Sequence, residues 1–134
     1  MITIRLFVVL SLILCVGAPA SIARAAEPSS VYRGIWTSQS TGHSGPMRVR
    51  ITPIGGGRYD ARFSGRFALV IPFTYRVQLT DAGCDPCGRS LTAHKQLGPI
   101  LGGYDMSAQM TPGQLRGNFQ AAGDSGAISM QRVR

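Results

Sequence analysis

Gly42-His43-Ser44-Gly45-Pro46 sets a histidine beside a serine inside a glycine-framed segment, the residue types of a nucleophile and its base. The strand-to-helix elbow G-x-S-x-G requires glycine where Pro46 stands, and no helix is indicated after it. His43 adjoins Ser44, only His94 remains as another base, and the segment reads as a Gly/Ser/Pro loop. Metal binding would have to draw on Cys84, Cys87, His43 and His94, and the two histidines are isolated where zinc ligands are spaced in pairs. Glycoside hydrolysis needs two facing carboxylates. Glu27 is the one glutamate, and Asp60 and Asp105 fall at solvent-facing strand positions. We therefore expect no catalytic residues, no metal, no cofactor and no enzymatic activity.

Two constellations remain. Cys84 and Cys87 lie in Gly83-Cys84-Asp85-Pro86-Cys87-Gly88, a turn composition, whereas a redox C-x-x-C should open a helix after a strand. Outside a reducing cytosol the default for such a pair is a structural disulfide. The second is arginine. Where Met47, Val49 and Ile51 alternate with Arg48 and Arg50, and Tyr59, Ala61 and Phe63 with Arg58, Arg62 and Arg66, the arginines fall on the outer side of half-buried strands. The same phase turns Arg76 outward. Six guanidinium groups then share one surface with only Asp60 among them. Guanidinium forks bind carboxylate, phosphate and sulfate groups, so this face is the anion-binding candidate.

Runs rich in β-branched and aromatic residues recur along the chain with turn chemistry between them, giving about eight strands: residues 32–38, 47–54, 59–67, 72–79, 90–97, 104–110, 114–121 and 127–133. Gly55-Gly56-Gly57 supplies the positive φ angles of a tight hairpin. Pro72 marks the start of the fourth strand, and Thr111-Pro112-Gly113 is placed for a type II turn. Short connections and one apolar face per strand predict an all-β, antiparallel, up-and-down barrel over residues 31–134. The inward set contains Trp36, Met47, Val49, Ile51, Tyr59, Phe63, Phe67, Phe73, Tyr75, Val77, Leu79, Tyr104, Met106, Met110, Leu115, Phe119, Ile128 and Met130. These side chains either fill a small barrel or line an apolar pocket, for which Tyr59, Phe63, Tyr75 and Tyr104 are the ligand candidates.

Ahead of this domain, a short basic start leads into an apolar run at residues 6–16, and Ala23-Arg24-Ala25 has the small-x-small form of a cleavage site. We read residues 1–25 as a signal peptide and 26–30 as a flexible start, which places the domain in the periplasm, cell envelope or exterior with no transmembrane segment after processing. Cleavage takes Arg5 and Arg24 from the fourteen basic residues and none of the six acidic ones, which leaves twelve against six. That balance favours anionic polysaccharide or another anionic envelope component. Nucleic acid is not expected for an exported chain.

Gly34-Ile35-Trp36, near the start of the first strand, resembles the G-x-W signature of the lipocalin and avidin-like β-barrels. The resemblance implies a tryptophan packed across the barrel floor against an arginine near the last strand, here Arg132 or Arg134, which would join first strand to last through a cation-π contact. The T-D-Y motif of true lipocalins is missing. Thr41-Gly42-His43-Ser44-Gly45-Pro46 and Arg66-Phe67 are also similar to uncharacterised exported bacterial β-proteins. The expected function is a binding or interaction module for an anionic surface, with a lipocalin-like carrier of a small apolar ligand as the alternative.

Overall fold

Period-two alternation runs through the whole domain, and eight antiparallel strands result: β1 Ser30–Ser38, β2 Ser44–Gly55, β3 Arg58–Phe67, β4 Ile71–Asp85, β5 Gly88–Gln96, β6 Gly103–Met110, β7 Gln114–Ala121 and β8 Asp124–Arg132. The computed structural model describes residues 27–134 apart from 87, 97, 100, 101 and 122. The expected signal peptide lies outside the described residues. Each strand pairs with its sequence neighbours, and β1 pairs with β8, which closes the barrel in up-and-down order. Among the described residues no helix is long and apolar enough to cross a membrane.

Strand phase decides what fills the interior. Tyr32, Val49, Phe63 and Tyr75 are register partners across β1 to β4, and Ile51, Ala61 and Val77 form the next row. Leu79 of β4 and Leu91, Met106, Leu115, Ile128 and Met130 of β5 to β8 belong to the same buried cluster. Tyr32, Leu91, Ala93 and Ala108 belong to it although the inward set above omits them. Phe67 leaves it. This residue is 46% exposed and meets the rim of the core, with its ring edge-on to Trp36 at 5.0 Å and tilted against Phe73 at 4.5 Å.

Several strands are longer than expected. β2 starts at Ser44, so Gly45 and Pro46 are strand residues rather than loop. Proline is tolerated there because the β2–β3 ladder begins only at Met47, opposite Gly65. β4 begins at Ile71 and carries Pro72 opposite Arg66, one residue after its start. It also runs past Leu79 to Asp85 by bending at a bulge between Asp81 and Gly83, where the Asp81 carboxylate accepts a hydrogen bond from the Gly83 N–H at 2.8 Å. β8 starts at Asp124 rather than Ala127, so Asp124, Ser125 and Gly126 pair with β7 instead of turning. Gly113 does not adopt the positive φ that a type II turn requires, so that assignment fails, although Thr111 N–H still bonds the Gln114 carbonyl at 2.9 Å.

The β3–β4 hairpin turns on residues that disfavour its geometry. Ala68 and Leu69 have φ of 47° and 64°, and Val70 N–H donates to the Phe67 carbonyl at 3.1 Å. Two successive positive φ values are those of a type I′ turn, normally made by Asn-Gly, and non-glycine residues there cost about 1–3 kcal/mol each. A third apolar residue, Val70, completes the loop.

Candidate functional site

The arginine-bearing strands are neighbours in the barrel, and the β2–β3 and β3–β4 registers align Arg50, Arg62 and Arg76 directly across three strands. Adjacent strands lie about 4.8 Å apart, so three like charges are stacked at close lateral spacing. Arg48 flanks this row opposite Ser64, and Ser64 lies opposite Thr74. Arg48, Arg50, Arg62 and Arg76, with Thr52, Asp60, Ser64 and Thr74, line one outer depression of about 460 Å³. Guanidinium groups and hydroxyls on a single surface offer dense hydrogen-bond donors around an anion.

The other two candidate arginines are not brought into that depression. Arg58 lies towards the opposite end of β3, in a hollow shared with Tyr59, Asp81 and Arg89. Arg66 sits beside Arg33 and Arg48 in a second depression next to the β3–β4 turn. One cation missed by sequence reasoning joins the basic face, and a second reaches its edge strand from the other side of the sheet. Arg33 is the register partner of Arg48, whereas Lys95 shares the inward phase of Leu91 and Ala93 and donates from the end of β5 to the Arg76 backbone carbonyl at 2.7 Å. Arg33 was legible from the alternation of Tyr32 and Gly34 around it. Lys95 was not, because its placement depends on how β5 lies against β4.

Ion pairing leaves this face uncompensated. Among the described residues the ion pairs are Arg89 with Asp81 at 3.3 Å and His94 with Asp105 at 2.6 Å. Neither involves the six candidate arginines. Like charges directly opposite one another in a sheet are destabilising by roughly 0.2–1 kcal/mol per pair, so the Arg50–Arg62–Arg76 row works against folding.

Three of the four pocket candidates, Phe63, Tyr75 and Tyr104, pack on one another. Tyr59, Phe63 and Tyr104 are buried, Phe63 stacks on Tyr75 with centroids 5.0 Å apart, and the Tyr75 and Tyr104 hydroxyls meet at 3.2 Å. Tyr104 also donates to Met106 Sδ at 3.3 Å. Burial pushes the Tyr75 and Tyr104 phenols above the ordinary tyrosine range, with the neighbouring Tyr104 adding to the effect at Tyr75.

Trp36 does not meet an arginine side chain in the expected way. Its register partner on β8 is Ile128, while Arg132 lies opposite Tyr32, four residues along the strand. The indole instead packs edge-on against Phe67 and Phe73 and donates from Nε1 to the Arg66 carbonyl at 3.2 Å. Closure is made by backbone: the β1–β8 ladder is extended by Val31 N–H to the Arg134 carbonyl at 2.7 Å and Val133 N–H to the Val31 carbonyl at 2.8 Å. Gly34 contributes by having no side chain, since a Cβ there would overlap the Ser129 carbonyl oxygen and lie 2.6 Å from Met130 Cα. Among the described residues the cation-π contact is elsewhere, with the Arg89 guanidinium 5.7 Å from the Tyr59 ring centroid.

His43 and Ser44 are exposed at the start of β2, and His43 offers its carbonyl to Ser38 N–H at 2.8 Å. Among the described residues no three His, Cys, Asp or Glu side chains gather as a metal site. Cys84 is exposed at the end of β4, and Cys87 lies outside the described residues. A wide concavity on the outer side of β4 to β8 is lined by neutral groups such as Thr80, Thr92, Ser107 and Asn118 together with the His94–Asp105 pair. No protein-family model, no characterised protein and no solved structure matches this chain.

Proposed function

We propose that this protein is an exported, non-enzymatic barrel that binds an anionic polysaccharide or a similar anionic component of the cell envelope on the outer face of β2 to β4. The observation that carries this reading is the aligned Arg50–Arg62–Arg76 row, which shares its depression with one acidic side chain, Asp60. Such a row costs stability when empty, and a polyanion offsets that cost through bidentate guanidinium contacts at a repeat close to the strand spacing. The eight-strand up-and-down order and the Gly34-Ile35-Trp36 segment support an architectural likeness to the lipocalin and avidin-like barrels.

Retention on heparin-like and carboxylated polysaccharides over a salt series tests this. Arg50→Ser/Arg62→Ser/Arg76→Ser is expected to weaken retention at least tenfold at low salt, and the variant should be more stable than the parent by about 0.5–1 kcal/mol as two like-charge pairs are removed. Equal, weak retention of both proteins sinks the reading. We further expect Cys84 and Cys87 to be joined in protein taken from the exported fraction. So small a ring stabilises by no more than the ~3 kcal/mol of a fifteen-residue loop. Intact mass after alkylation without reductant should be unchanged, and a gain of two alkyl groups refutes the bridge.

A further inference from the structure

The β3–β4 hairpin tip exposes a run of apolar side chains on a turn that is conformationally unfavourable for them. Leu69, Val70 and Ile71 are 68%, 75% and 59% exposed. A soluble surface gains nothing from such residues, and Asn-Gly would make the same turn without strain. The tip is also braced. Phe67 and Phe73 pack with centroids 4.5 Å apart, and Trp36 lies edge-on to both while holding the Arg66 carbonyl.

Directly behind the tip is a basic collar. Arg66 pairs with Pro72, one row behind the Phe67–Ile71 pair that abuts the turn, and two residues further along β3, Ser64 is aligned with Arg48, itself paired with Arg33. At about 3.4 Å per residue, Arg48 and Arg33 lie some 7 Å behind Arg66. Apolar side chains at a convex tip with guanidinium groups set back by this distance match the depth profile of a bilayer interface. Interfacial segments bury their apolar side about 5–10 Å below the headgroups, and arginines just above meet anionic phosphates.

We infer that the β3–β4 tip is a membrane wedge: Leu69, Val70 and Ile71 insert into the acyl boundary of an anionic bilayer while Arg66, Arg48 and Arg33 engage its phosphate groups. A second copy of the chain is a poorer occupant, because a convex hairpin tip presents too little area for the ~1,200 Å² or more that a stable interface buries. The inference does not rest on polysaccharide binding by the Arg50–Arg62–Arg76 row, which can fail independently.

The test uses vesicles of phosphatidylglycerol and of phosphatidylcholine, with co-sedimentation and quenching of Trp36, the chain's one tryptophan, by lipids brominated near the headgroup. Ala68→Asn/Leu69→Gly/Val70→Thr removes the two most exposed apolar side chains of the tip, Leu69 and Val70, and installs the favoured turn, so its fold is secure and its Tm should rise by about 5 °C. Wild type is expected to bind phosphatidylglycerol vesicles with Trp36 quenched, and the tip variant to bind at least tenfold more weakly without quenching. Arg66→Ser should reduce the preference for phosphatidylglycerol over phosphatidylcholine. Equal binding of wild type and tip variant overturns the wedge in favour of adsorption by arginine alone. No vesicle binding by wild type also overturns it, and a concentration-dependent dimer lost in the tip variant then assigns the surface to self-association.

Discussion

Gly34→Val is expected to lower stability by more than about 3 kcal/mol, or to prevent the barrel from closing, because the new side chain meets backbone instead of a movable side chain. Gly34 lies on the inward side of β1 opposite Met130, and a Cβ there would overlap the Ser129 carbonyl oxygen. Rotamer changes cannot relieve such a clash; β1 and β8 must separate. These are the first and last strands, so the damage falls on the one seam that a sequential up-and-down sheet makes only at closure. Gly113→Ala is the matched control. Nothing lies within 4 Å of its Cβ position and its φ is not left-handed, so a change within about 0.5 kcal/mol is expected. Urea titrations of both variants decide the matter, and equal midpoints would show that the seam yields easily.

Phe63→Ala should cost about 3–5 kcal/mol, the range for truncating a fully buried aromatic side chain in a close-packed core. Phe63 is 0% exposed and stacks on Tyr75, whose hydroxyl meets that of Tyr104. Removing the ring therefore undermines an aromatic chain that spans from β3 through β4 to β6. The same variant separates a filled interior from a hollow one. A chemical denaturation midpoint shifted by less than about 1 kcal/mol equivalent would mean that Phe63 lines spare volume, and a small apolar ligand would then have room to bind.

How much of this was legible in the chain differs from element to element. β7 was read to the residue at 114–121, because Leu115, Gly117 and Phe119 alternate cleanly and turn residues flank both ends. The ends of β2, β4 and β8 were read short, since Pro46, Pro72 and Asp124-Ser125 carry turn-like composition that pairing in the barrel overrides. Phe67 matched the inward phase of β3 and still emerged exposed, because its strand runs beyond the packed interior and into the hairpin tip.

Alternation along each strand depends only on neighbours in the chain, so the sequence by itself determined the all-β class, the strand count and the outward phase of the arginines. Lateral partnership depends on register and on the curvature of a closed sheet, quantities that no local pattern records. That is why only the tertiary structure aligned Arg50, Arg62 and Arg76, separated Arg58 from them, and drew Arg33 to the same face. It also decided Trp36. The G-x-W segment and a terminal arginine suggested a cation-π closure, but the β1–β8 register sets Arg132 four residues away and gives the indole to Phe67, Phe73 and the Arg66 carbonyl.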